Sequence, residues 1–219
     1  MTRRAATAGR EPASTRDAIL DVAERRFAER GFAAVPVREI AADAGLRNQA
    51  SLYHHFRHKR ALYEAVLTRG IEPILGLLAE AASAPGPGGY GEAFVDRLVV
   101  YLAEHPHLPR LIQRAILEDR RYLPSALPRL LKPLYEQGLR VLAERGGDSW
   151  QEADLPHLAS ALYLLIFGYF ASAALFEAVT QQDPRSAEAV QGQRRFLKIA
   201  LAKLFAADGP RRGARVTRR

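Results

Sequence analysis

The stretch VREIAADAGLRNQASLYHHF, residues 37–56, decides how the rest of this chain is read. Val37, Ile40, Ala41 and Ala44 recur at helical spacing and make one apolar stripe on a two-turn helix. Gly45 follows, the residue type that tolerates the left-handed conformation of a sharp turn. Leu46 inserts beneath that turn, and Leu52 and Phe56, four apart, anchor the next short helix on the same small core. What remains on the outer face is Asn48, Gln49, Ser51, Tyr53 and His54, with Arg47 just ahead. This face carries hydrogen-bonding groups and no carboxylate, the chemistry that reads base edges in a DNA major groove. Two helices joined by a tight turn, the second presenting such a face, define a helix-turn-helix.

Outward from this motif, nearly every segment repeats at helical spacing and no run alternates like a half-buried strand. Ser14 with Asp17 opens a helix that buries Ile19, Leu20, Ala23 and Phe27, and Gly31 stops it. Pro36 suits the first turn of the second helix, 36–44. A third runs from about Asn48, taken as its cap, to His55, and a long one over 58–84, kinked at Pro73. The stretch PGPGGYG, 85–91, is too short to separate independent domains and reads as a loop between packed helices. Further helices are predicted at 92–104, 108–119, 125–145, 155–181 and 185–206. The fold class is therefore all-α, with about nine helices.

Charge points to the same partner as the motif. The net formal charge is +8, of which residues 1–60 contribute +5 and the tail 208–219 contributes +4, while 61–207 sums to −1. Basic ends on a neutral body suit a polyanion. The chain has no cysteine, which excludes disulfides, thiolate nucleophiles and Cys-based zinc sites and fits a reducing cytoplasm. The first sixteen residues hold no apolar run, so no secretory signal is expected. There is no Gly-rich phosphate loop, no G-x-S-x-G and no paired carboxylate in an apolar setting, so no enzyme is expected.

Residues 15–67 resemble the DNA-binding domain of the TetR family. The resemblance lies in Thr15-Arg16, Ile19-Leu20, Ala23 and Phe27-Ala28-Glu29-Arg30-Gly31-Phe32, then Val37-Arg38-Glu39-Ile40-Ala41, then Leu52-Tyr53-His54-His55-Phe56, Lys59 and Leu62. Two departures stand out: Val35 occupies the place of the usual Ser or Thr cap, and the turn is one residue longer, absorbed at Arg47. The resemblance implies a dimeric repressor released by a small molecule, reading a palindromic operator in double-stranded DNA. It implies phosphate contacts for Arg16, Arg38 and Lys59, and backbone contacts for Tyr53 and His54. Arg47, Gln49 and Ser51 are the candidates for base contacts, beside Asn48.

Organisation follows: a disordered basic arm at 1–13, a DNA-binding domain at 14–60, a ligand-binding and dimerisation domain at 61–207, and a disordered basic tail at 208–219. His54, His55 and His58 are better explained by the DNA-reading motif than by metal, and His105 and His107 flank Pro106 as turn residues. No cofactor is implied. Residues 155–176 lack any formal charge and are long enough to span a bilayer, but Pro156, His157 and the acidic flanks Asp154 and Glu177 argue for a helix buried on both sides. A homodimer through helices of about 155–181 and 185–206 meets that need. A lipophilic effector is expected between the helices of 92–181, with Tyr101, Leu117, Tyr135, Trp150, Tyr163, Phe167 and Phe170 as candidate lining. The alternative is a non-specific architectural DNA binder without an effector, using the basic ends alone.

Overall fold

Ser14 starts the first helix: its oxygen accepts the Asp17 N–H at 3.2 Å while its proton goes to the Asp17 carboxylate at 2.7 Å. The computed structural model describes residues 14–83, 89–145 and 150–205. The arm at 1–13, the tail at 208–219 and positions 85–88 of the loop lie outside them. Among the described residues there are ten α-helices and no strand, an all-α fold. In order they are α1 (Thr15–Ala34), α2 (Val37–Asp43), α3 (Gln49–Tyr53), α4 (Lys59–Ser83), α5 (Gly89–Glu104), α6 (Leu108–Leu117), α7 (Ala126–Arg145), α8 (Leu155–Ala171), α9 (Ala173–Thr180) and α10 (Ala187–Leu204).

Two glycines do what the sequence asks of them. Gly31 sits at φ 77° and ψ 167°, breaking α1 before its last turn. Gly45 sits at φ 72°. Around it the Leu46 N–H reaches the Ala41 carbonyl at 2.9 Å and the Gly45 N–H the Ala42 carbonyl at 3.0 Å, closing α2 with a Schellman turn. Pro36 lies one position outside α2, as its cap residue, and no side chain caps that helix. The expected helix 155–181 is two helices: Ser172, at φ −95° and ψ 13°, separates α8 from α9. That break, invisible to a hydrophobicity pattern that runs straight through it, raises the count from nine to ten.

One apolar core runs from α1 through α3 to the body, from Ile19, Phe27, Ile40 and Leu52 to Tyr63, Leu98, Ile112 and Leu197. The spine is α4, which packs on α1, α5, α6 and α7, while α10 packs on α5. Near Pro73, which withdraws one backbone donor from α4, the Tyr101 hydroxyl donates to the Gly70 carbonyl at 3.0 Å. Leu108 of α6 presses on α4 at Gly70, where a β-carbon would collide with the Leu108 Cδ1. The stretch Glu152–Ala171 is long and apolar enough to cross a membrane. Leu158, Ile166, Phe167 and Phe170 of α8 are buried, while Leu164 is 64% exposed. The face thus left open continues as Leu175, Phe176 and Val179 on α9, and α10 exposes Phe196 and Ile199.

Candidate nucleic-acid interface and inner cavity

Asn48 fixes the start of α3. Its Oδ1 accepts the Ser51 N–H at 3.0 Å and the Ser51 hydroxyl at 3.2 Å, so the longer turn is absorbed at Arg47 and Asn48 is the N-cap. Leu52 is fully buried, and α3 packs against α2. Arg47, Asn48, Gln49, Tyr53 and His54 are exposed, and Ser51 is half-buried. Gln49 Nε2 donates to the Tyr53 hydroxyl oxygen at 3.2 Å, which organises the outer face of α3 into one polar surface.

The two acids of the motif are turned away from that surface. Asp43 is held by Arg26 at 2.5 Å and Glu39 by Arg30 at 2.5 Å, both on α1. The hydrogen bond to Asp43 raises the Arg26 pKa, so this cation stays charged throughout the working range. The pairs therefore clamp α2 to α1 and neutralise the carboxylates at the same time. Arg38 is exposed in the first turn of α2, and the exposed Arg16 lies over the Phe56 ring, 5.1 Å from its centre. His58 Nδ1 accepts the Ala61 N–H at 3.0 Å and so caps α4.

Lys59 departs from the expectation. Its ammonium is turned inward, donating to the Phe32 carbonyl and lying 4.4 Å from the centre of the Phe32 ring and 5.9 Å from that of Phe27. Burial pushes its pKa down, against the pull of Asp119. A cation wedged between two aromatic rings and a carbonyl is a structural bolt rather than an outward phosphate contact.

In the body, a cavity of about 550 Å³ lies between α4, α5, α6, α7, α8 and the end of α10. Three of the seven expected lining residues line it: Tyr135, Tyr163 and Phe167. Tyr163 and Phe167 stack with centres 5.1 Å apart, and burial raises the Tyr163 pKa, keeping it a neutral phenol. The other four lie elsewhere. Tyr101 is tied to Gly70 between α4 and α5, in shallower polar clefts. Leu117 is 71% exposed because α6 ends there. Trp150 donates its indole N–H to the Leu204 carbonyl at 2.8 Å. Phe170 is packed in the core beside Tyr169. Sequence reasoning missed the aliphatic part of the wall, among it Ile74, Leu98, Ile112, Ile116 and Leu201. It also missed Asp119, an acid in a polar turn that no period marks.

A capped reading helix on a Schellman turn, its acids clamped behind it, places this chain among the helix-turn-helix DNA-binding proteins. A family model described as bacterial regulatory proteins, tetR family, matches residues 19–66. The repressor SCO4008 of Streptomyces coelicolor is 31% identical over 140 residues, 64% of this chain and 68% of that protein. The repressor KstR2 of Mycolicibacterium smegmatis is 44% identical over 66 residues, 30% of this chain and only 32% of KstR2. The fold matches the solved ketosteroid transcriptional regulator KstR2 of Mycobacterium tuberculosis with a TM-score of 0.69 at 18% identity, covering 88% of this chain and 96% of that one. The chain belongs to the TetR family. It is a DNA-binding transcriptional regulator and not an enzyme, in a family whose members dimerise.

Proposed function

We propose that this protein is a transcriptional repressor that binds a palindromic operator as a homodimer and is released by a small lipophilic effector in the cytoplasm. Residues 14–60 read DNA and residues 61–207 bind the effector and the second copy. The observation that carries the reading is the acid-free outer face of α3, backed by a core continuous with the cavity 550 Å³ in volume. Gln49, Ser51 and Arg47 meet base edges. Arg16, Arg38, Tyr53 and His54 meet the backbone, and Asn48 sets the helix in register.

The second copy covers the apolar side chains that α8, α9 and α10 leave exposed, making a four-helix interface. This sets two reading helices roughly 34–36 Å apart, one turn of duplex. The cavity wall is aliphatic and aromatic, with hydroxyls from Tyr135, Tyr163 and Ser160, and the described lining holds no charged side chain. Such a wall favours an effector with a large apolar body and few polar groups. KstR2, titled a ketosteroid transcriptional regulator, has the same fold and is a relative over 66 residues, which is consistent with a ligand of that character.

Selection of bound duplexes from a random DNA library tests the reading. A palindromic consensus whose preference changes with Gln49→Ala or Ser51→Ala is expected. Flat preference with steep salt dependence would replace it with the architectural alternative.

A further inference from the structure

Behind the reading unit, one buried carboxylate joins three helices. Asp119 lies two residues beyond the end of α6 and is 4% exposed. Its Oδ2 accepts the Phe32 N–H of α1 at 3.0 Å and the Tyr63 hydroxyl of α4 at 2.9 Å. The backbone of Asp119 is fixed to α6 by its own N–H, which reaches the Arg114 carbonyl at 3.0 Å. On the other side of Phe32, its carbonyl accepts Lys59 from the first turn of α4. The segment after the Gly31 break is therefore gripped by α6 through its N–H and by α4 through its C=O. The Phe32 ring adds contacts with Tyr63 at 5.4 Å and Tyr122 at 4.6 Å between centres.

The same α6 forms part of the cavity wall through Ile112 and Ile116. One face of this helix touches whatever fills the cavity, and its end holds α1 and α4 together. We propose that Asp119 is the positioning residue through which occupation of the cavity reorients the reading unit. A shift of α6 stretches two bonds that share one oxygen, loosening its hold on α1 and on α4 in one event. The grip needs no contact between effector and DNA-binding residues. It follows the physical requirement that coupling be carried by an element with two arrangements, here bonded and released. This inference rests on the effector reading above.

The test fills the cavity without a ligand. Gly138 of α7 lines it, and a β-carbon there meets nothing within 4 Å, so Gly138→Phe places a ring in the space. Affinity for the selected palindrome is measured for the full-length parent, Gly138→Phe, Asp119→Asn and the double variant, together with hydrogen exchange at the Phe32 amide. Gly138→Phe is expected to weaken DNA binding about tenfold and to speed exchange at Phe32. In the Asp119→Asn background the same filling is expected to change affinity by no more than about twofold. If the full tenfold loss persists there, Asp119 is not the joint, though the effector reading stands. If Gly138→Phe folds and leaves DNA affinity and Phe32 exchange unchanged, the effector reading falls and this proposal with it. Should Asp119→Asn not fold, Tyr63→Phe removes one of the two bonds and is expected to lose part of the response.

Discussion

Between Ser14 and Arg57, Tyr53 is the one large apolar side chain that stands exposed, whereas α8, α9 and α10 leave Leu164, Leu175, Phe176, Val179, Phe196 and Ile199 in the open. Three acids of the first region are committed as well, with Asp43, Glu39 and Glu24 each held by an arginine. The first region thus buries its large aliphatic side chains within the single chain and offers a mainly polar surface outward. The second is complete only against something else: it holds a cavity lined by α8 and leaves an apolar face of α8, α9 and α10 uncovered. A surface that must meet a wet, charged duplex is built of satisfied polar groups. A surface that must meet a second protein chain permanently is left apolar.

This contrast can be broken at several points. Phe27 lies at the centre of the closed region, in contact with Phe32 and Tyr63 rings. Phe27→Ala is expected to cost about 3–5 kcal/mol in urea unfolding, and a loss below about 1 kcal/mol would mean that this core is not closed. On the open face, Leu175→Arg with Val179→Arg, one turn apart on α9, is expected to yield monomers in sedimentation with helical content unchanged. Affinity for the palindrome should then fall about a hundredfold, as two linked half-sites become one. A variant that stays dimeric would move the interface elsewhere.

Smaller effects sharpen the boundary between the regions. Gly31→Ala forces a side chain into a backbone region reserved for glycine and toward the Arg114 guanidinium 2.9 Å away. The expected cost is about 1–3 kcal/mol, measured by thermal or denaturant unfolding. Asn48→Ala removes the α3 cap for about 1 kcal/mol and lowers DNA affinity without altering the dimer, which gel filtration checks. The smallest effect concerns Asp96 on α5, whose carboxyl is held below its ordinary value of 3.8, first by the Arg194 hydrogen bond from α10 and then by Lys198. Its contribution is fully present above that value and is lost as pH falls through the lower folded one. Asp96→Asn should therefore flatten the last part of the acid unfolding curve slightly, and an unchanged curve would discount the pair.

The two regions also differ in how far their sequences could be read. The cap at Ser14, the left-handed turn at Gly45 and the cap at Asn48 are local events, each decided by a residue within three or four positions of its partner. They were legible for that reason. The inward turn of Lys59 was not, because its partner Phe32 is 27 residues away. Leu117 and Trp150 were placed in the cavity on apolar character alone, yet one falls past the end of α6 and the other finds a carbonyl 54 residues off. The break at Ser172 lies in an apolar run where periodicity carries no boundary. Asp119 meets Phe32 and Tyr63 across 87 and 56 residues, and only the folded chain shows why an acid stands there.

The contact of Leu108 with Gly70 has a mechanical meaning. Leu108 occupies space that a side chain on α4 would otherwise take, so the two helices are notched together at that point. A notch of this kind opposes sliding of one helix along the other more than rocking about the contact. The notch makes α6 a lever whose fulcrum lies at its first residue and whose load hangs beyond its last. Nine residues at about 1.5 Å each give an arm of roughly 14 Å. A rocking of only about 5° then carries the far end by about 1 Å, enough to spoil a hydrogen bond whose useful range is a few tenths of an ångström wide.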